Sequence, residues 1–234
     1  MIKRVFIVLI NVVLFFSMSF RNAHAAERVV VNSLHSDRWY DNVYLLADKI
    51  DWMTFRNFTV QIGDKGELLY HFPKWESGKY DTYLFRDDLD GNKFTDLVIV
   101  LDNYQDPIHV LNQVMNPYRV YKEVSVEPVN DAVNRLVKME KKGDIVTIKT
   151  KQKTYKVNVK PFHYTTAKPS STEVYVGIDK VDYSVAKHIL IAEAPVLITI
   201  GGGIGYLILT YGWNGHGYEV RSISFKQDIP KQYD

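Results

Sequence analysis

The nine residues Asp88-Leu89-Asp90-Gly91-Asn92-Lys93-Phe94-Thr95-Asp96 run straight into an apolar strand, Leu97 to Leu101. Oxygen side chains stand at positions one, three, five and nine of this loop. That spacing suits a hard cation, which takes six to eight oxygens when one short loop wraps it. Asp88, Asp90 and Asn92 present three side-chain oxygens, the carbonyl of Phe94 sits where such loops donate a backbone ligand, and Asp96 closes the set at the edge of the strand. Calcium suits these donors better than magnesium, which keeps more waters and demands a strict octahedron. Position six, where the backbone of such loops turns with positive φ, holds Lys93 instead of glycine. A left-handed lysine costs roughly 1 kcal/mol and brings an ammonium near the ion, so the expected calcium affinity is weak. The competing reading is a solvated acidic turn whose Asp side chains bond neighbouring amides.

The first 25 residues read as a secretory leader: Lys3 and Arg4, an apolar run from Val5 to Phe16, and Ala23-His24-Ala25 as an A-x-A cleavage site. The apolar run is shorter than a bilayer span. Ile189 to Leu209 is the next most apolar stretch, and Glu193, Pro195 and a glycine cluster interrupt it, so no transmembrane segment is expected in the mature chain. The formal charge of +2 includes Lys3, Arg4 and Arg21; without them it is −1, which gives a nucleic-acid partner no global electrostatic support. The chain has no cysteine, which removes disulfides as a source of stability. The expected location is secreted or cell-surface.

Val, Ile, Thr and Tyr dominate the body, which favours sheets. Residues 27–225 read as a single mainly-β domain, followed by a polar tail over 226–234. Hairpins are expected around Gly63-Asp64-Lys65-Gly66, between Ile145–Lys149 and Thr154–Lys160, and around Trp213-Asn214-Gly215-His216-Gly217. Asn130 to Lys142 allows one short helix, or a strand ending at Gly143-Asp144. Ala167 to Thr172 is the plainest loop. Ser33 to Leu45 can be laid over Asp88 to Val100, with Asp41 opposite Asp96; the offset of about 55 residues suits four-stranded blades, and a third, degenerate copy falls near Asp179 to Ile191. The expected fold is an incomplete β-propeller-like array of antiparallel β-meanders.

The acidic loop and strand resemble the D-x-D-G-D-G-x-x-D-L-x-V signature of FG-GAP and VCBS repeats, and Tyr211-Gly-Trp-Asn-Gly-His-Gly-Tyr218 resembles the W-N-G hairpin that often ends such domains. The chain is similar in this to secreted VCBS-like proteins of spore-forming bacteria. The resemblance implies a calcium-stabilised partial β-propeller. It implies no common enzymatic activity, and an association with extracellular adhesion and ligand binding.

Other signals carry less. Gly201-Gly-Gly-Ile-Gly205 lacks the ending of a phosphate loop and reads as a flexible loop or strand-edge turn. Eight lysines between Lys138 and Lys160 offer a docking face for anionic polymers, or a solvated sheet face with edge lysines. No H-E-x-x-H or G-x-S-x-G occurs. Trp39, Trp75 and Trp213 suit sugar stacking or core anchoring. The functional expectation is a non-catalytic binding or surface module with an extracellular or cell-wall ligand. The alternatives are a secreted hydrolase with scattered carboxylates and a structural component of an envelope or spore surface.

Overall fold

The computed structural model describes residues 26–77, 82–101, 107–162, 174–199 and 202–229. The leader, the Ala167–Thr172 loop, His163, Gly201 and the end of the tail lie outside them.

Strands β1 (Glu27–Leu34), β2 (Val43–Lys49), β3 (Phe55–Ile62) and β4 (Leu68–Glu76) form an antiparallel meander in chain order. Strict alternation builds it: Val43, Leu45 and Ala47 of β2 and Phe58, Val60 and Ile62 of β3 are buried, while the residues between them are not. The expected hairpin joins β3 to β4, with Gly63 and Gly66 at φ of 81° and 72°.

A second meander follows: β5 (Tyr83–Asp87), β6 (Asp96–Val100), β7 (Ile108–Met115) and β8 (Arg119–Val126). Every residue of β6 is buried. Leu97 and Ile99 join Phe58, Val60 and Trp75 in a core shared with the first meander, and Val98 and Val100 join a second core on the opposite face. A strand covered on both sides favours apolar residues at every position, which explains the unbroken run Leu97–Val100 that follows Asp96. The two loops paired in the sequence occupy the same place, each linking the first strand of a meander to the second.

The third meander is β13 (Asp182–Ala186), β14 (Ile189–Thr199), β15 (Gly202–Trp213) and β16 (Gly217–Gln227). A two-residue strand, β12 (Tyr175–Val176), pairs with the far end of β14. The third meander is not a separate blade. Strand β16 pairs in parallel with β8, through Gly217 opposite Ser125 and Tyr218 opposite Val126, so the second and third meanders share one nine-stranded sheet. That sheet curls until its ends meet: His188, in the β13–β14 turn, bonds Asp87 at the end of β5 through its backbone N–H (3.0 Å) and its Nδ1 (2.6 Å).

The stretch over Asn130–Lys142 holds both alternatives. Helix α1 (Val129–Leu136) ends where Val137 turns extended, and β9 (Lys138–Lys142) begins at once. Strands β9, β10 (Ile145–Lys149) and β11 (Thr154–Asn158) form a small sheet, with Gly143 at φ 57° in the first turn. This sheet and α1 send Val146, Ile148, Val157, Ala132 and Val133 into the core inside the curled sheet. Lys138, Lys142, Lys149 and Lys156 face solvent on the other side, where Lys142 pairs with Glu140 at 2.8 Å.

Only part of the glycine cluster, expected as a flexible loop or strand-edge turn, lies among the described residues. Gly202 to Gly205 lie in β15, and Gly205 adopts φ 148°, where an added Cβ would stand 2.3 Å from the Lys226 carbonyl. The glycine lets β15 and β16 approach closely. The apolar stretch Ile189–Leu209 is thus a hairpin of two long strands. Among the described residues, no helix is long and apolar enough to cross a membrane.

Gly217 tests the join between the second and third meanders. A Cβ there would stand 2.6 Å from the Ser125 carbonyl. Gly217→Ala is expected to destabilise the chain by about 1–3 kcal/mol, the usual cost of overpacking, read from denaturant midpoints. A loss below about 0.5 kcal/mol, the scatter of ordinary surface substitutions, would mean that β8 and β16 are not held together there.

Candidate metal centre

The β5–β6 loop winds on its own side chains. Asp88 accepts from the backbone N–H of Gly91 (2.9 Å) and of Lys93 (3.0 Å), Asp90 from that of Asn92 (3.0 Å), and Asn92 Oδ1 from that of Phe94 (2.7 Å). The tight path needs two left-handed residues, Gly91 at φ 80° and Lys93 at φ 71°. Lys93 therefore adopts the conformation expected of position six, without the glycine that makes it cheap.

Winding brings three carboxylates together. One oxygen each of Asp88, Asp90 and Asp96 lies within 4.8 Å of the others. Among the described residues this is the one group of three or more acidic or histidine side chains spaced to hold a metal ion. Asn92 stands beside it: its Nδ2 donates to Asp90 Oδ2 (3.0 Å) and to the Gln113 carbonyl (2.9 Å). Its Oδ1 is shared with the Phe94 N–H, so a ligand role falls to the second lone pair of that oxygen. Phe94 lies on the outer edge of the loop with its side chain exposed.

Asp96 is the anchor. It has no solvent exposure. Its Oδ2 accepts from the Leu89 N–H and its Oδ1 from the Gln113 N–H, both at 2.9 Å, and the Tyr218 hydroxyl reaches Oδ2 at 3.5 Å. Tyr218 also donates to Asn112 Oδ1 (3.0 Å), and Asn112 Nδ2 donates to Asp90 Oδ2 (2.9 Å). The acidic loop and the terminal hairpin, the two stretches that carry the family resemblance, thus meet in the fold. Sequence reasoning missed Asn112 and Gln113. They come from β7, with no local pattern tying them to the loop.

Burial pushes the Asp96 carboxyl up to about 6, and the nearby charge of Asp90 adds to this, while the amides of Gln113 and Leu89 oppose it. Burial, then the Asp96 charge, also pushes the Tyr218 hydroxyl far above its ordinary range. The site is therefore rich in hard oxygen donors and holds more negative charge than its amide donors offset. Both features fit a divalent cation. The residues suit calcium on this ground, with Asp88, Asp90 and Asp96 as the charged donors.

The remaining candidates are dispersed. In the Ser33–Asp41 loop, Asp41 pairs with Arg119, and the Ser33 hydroxyl lies 3.2 Å from His35. His109 bonds Glu123 at 2.9 Å and stacks on Trp75. Trp75 is buried in the core between the meanders, Trp39 is half exposed under the Lys65 ammonium, and Trp213 packs against Tyr218.

Two outcomes test this geometry without metal. Asp96 binds a proton more tightly folded than unfolded, so its contribution is fully present below its ordinary value of 3.8 and is lost as pH rises through about 6. Asp48 and Asp64 are held low by hydrogen bonds from Asn57 and Asn42, so their losses begin only below the ordinary carboxylate range. In chelator, stability is expected to fall by on the order of 1–3 kcal/mol between about pH 4 and pH 7. Asp96→Asn is expected to flatten that slope; an unchanged slope would mean that Asp96 is not the titrating group. Lys93→Gly removes about 1 kcal/mol of left-handed strain and gives back about half of it through unfolded-state entropy. A net gain of roughly 0.5 kcal/mol is expected, and a loss would contradict the backbone assigned to position six.

A scan of protein-family models, a search of curated proteins and a search of solved structures each find no match to this chain.

Proposed function

We propose that this chain is an exported, calcium-stabilised, β-propeller-like binding or surface module without catalytic activity. One observation carries the reading: three carboxylates gather within 4.8 Å in the loop that feeds the most deeply buried strand. Asp88, Asp90 and Asp96 are the charged ligands, and Asn92 Oδ1 and the Phe94 carbonyl complete the set. A cation among them offsets repulsion that the fold otherwise bears. Because Asp96 is bonded to β7 and meets β16, the ion stiffens contacts well beyond its own loop.

The propeller-like part of the reading rests on the first two meanders. Each has four antiparallel strands, and they stack face to face through Phe58, Trp75, Leu97 and Leu111, as neighbouring blades do. Export rests on the leader, and the resemblance to FG-GAP and VCBS repeats adds the extracellular setting. The left-handed Lys93 supports an affinity in the weak range of extracellular modules, about 0.1–1 mM.

Calorimetry or thermal melting decides the metal. Calcium at about 10 mM is expected to stabilise the mature chain by about 1.4–2.7 kcal/mol, the gain when ligand exceeds Kd by roughly 10- to 100-fold, with a smaller effect of magnesium. Asp90→Ala is expected to abolish the rise. A melting temperature indifferent to calcium in the parent chain would remove the metal from the reading.

A further inference from the structure

On the outer side of the same loop, a cleft of about 260 Å³ opens between the first and second meanders. Its lining holds four cationic side chains, Arg38, Arg86, Lys93 and Arg119, and one carboxylate, Asp41, an excess of three positive charges. The chain as a whole is close to charge balance, so this is a local concentration.

The pairing inside the cleft leaves that excess in place. Asp41 is committed to Arg119, whose second nitrogen donates to the Tyr40 carbonyl at 3.0 Å. The half-buried Arg86 donates to the Asp41 carbonyl at 3.0 Å, which fixes its position without neutralising it. Among the described residues, Arg38, Arg86 and Lys93 have no carboxylate within ion-pair distance. A positioned guanidinium without a counter-ion favours a planar or tetrahedral oxyanion, which it grips with two parallel N–H groups.

A second observation is independent of charge. Gln113 lines the cleft and is 8% exposed. The Tyr121 hydroxyl donates to its Oε1 at 2.8 Å, and its Nε2 has no hydrogen-bond partner among the described residues. A buried amide donor without an acceptor costs stability, and an acceptor supplied by a ligand recovers it. Tyr40 and Phe94 are also exposed at the cleft and offer ring faces.

We propose that this cleft binds a phosphate monoester attached to a ring, a sugar phosphate being the simplest case. The phosphate sits among Arg38, Arg86, Lys93 and the Gln113 amide, and the ring lies against Tyr40 or Phe94. A dianion matches the charge excess better than a carboxylate or a phosphodiester, each of which carries one charge. The proposal gives the binding-module reading its ligand class and rests on that reading for its sense, but it does not depend on the metal.

Isothermal titration of the mature chain in chelator, at low salt and above the second phosphate ionisation, separates the two questions, because calcium is absent. Inorganic phosphate and glucose 6-phosphate are expected to bind saturably, the sugar phosphate more tightly, and acetate and dimethyl phosphate about tenfold more weakly. Arg86→Gln is expected to weaken phosphate binding about tenfold or more. Lys93→Gly is expected to weaken it several-fold while the melting temperature holds or rises, so its loss cannot be put down to misfolding. The proposal is overturned by any of three results: no saturable binding of either phosphate, acetate or dimethyl phosphate binding as tightly as phosphate, or Lys93→Gly and Arg38→Gln both binding like the parent.

Discussion

A carboxylate with no access to water stands at the first position of β6, and much of the molecule is arranged around keeping it there. Removing a carboxylate from water costs several kcal/mol unless donors replace the lost hydration. Asp96 finds two backbone amides, one from its own loop and one from β7, with the Tyr218 hydroxyl of β16 close by. A single side chain thus ties three separated segments together. The compensation is incomplete, because Asp90 brings a second negative charge to the same place. This imbalance is one that a divalent cation would offset.

The second meander occupies the middle of the fold as a consequence. One face of β6 packs on the first meander and the other faces the core inside the curled sheet, so the loop entering β6 is held at a junction. That loop is two-sided. Its carboxylates turn inward, whereas Lys93, Phe94 and Thr95 line the cleft toward Arg86 and Arg119. Gln113 belongs to both sides: its backbone bonds Asp96 and Asn92, and its side chain lines the cleft.

What could be read in the sequence was what short-range chemistry dictates. The hairpins at Gly63–Gly66 and Asn214–Gly217 are legible because each turn needs positive φ and has a glycine to supply it, and the one joining Ile145–Lys149 to Thr154–Asn158 is legible from its alternation. The carboxylate cluster is legible because all its members lie within nine residues. Strand β13 was hidden because its turn uses Lys187 and His188, at φ of 52° and 63°, in place of the glycine or asparagine that marks such turns. Gly202–Gly205 misled because glycine serves a close strand approach as readily as a bend. Asn112, Gln113 and the Arg119–Asp41 pair reach their partners across distances that no local pattern records, as does the parallel join of β8 to β16.

The contact between Tyr218 and Asp96 spans 122 residues. Closing so long a loop costs entropy before any reward arrives, and folds built on such pairings assemble slowly. Without β16 in place, Asp96 lacks its contact with the Tyr218 hydroxyl, and Asn112 lacks the same partner. The order of the β5–β6 loop thus depends in part on a strand far along the chain, and it is a measure of whether that strand has docked.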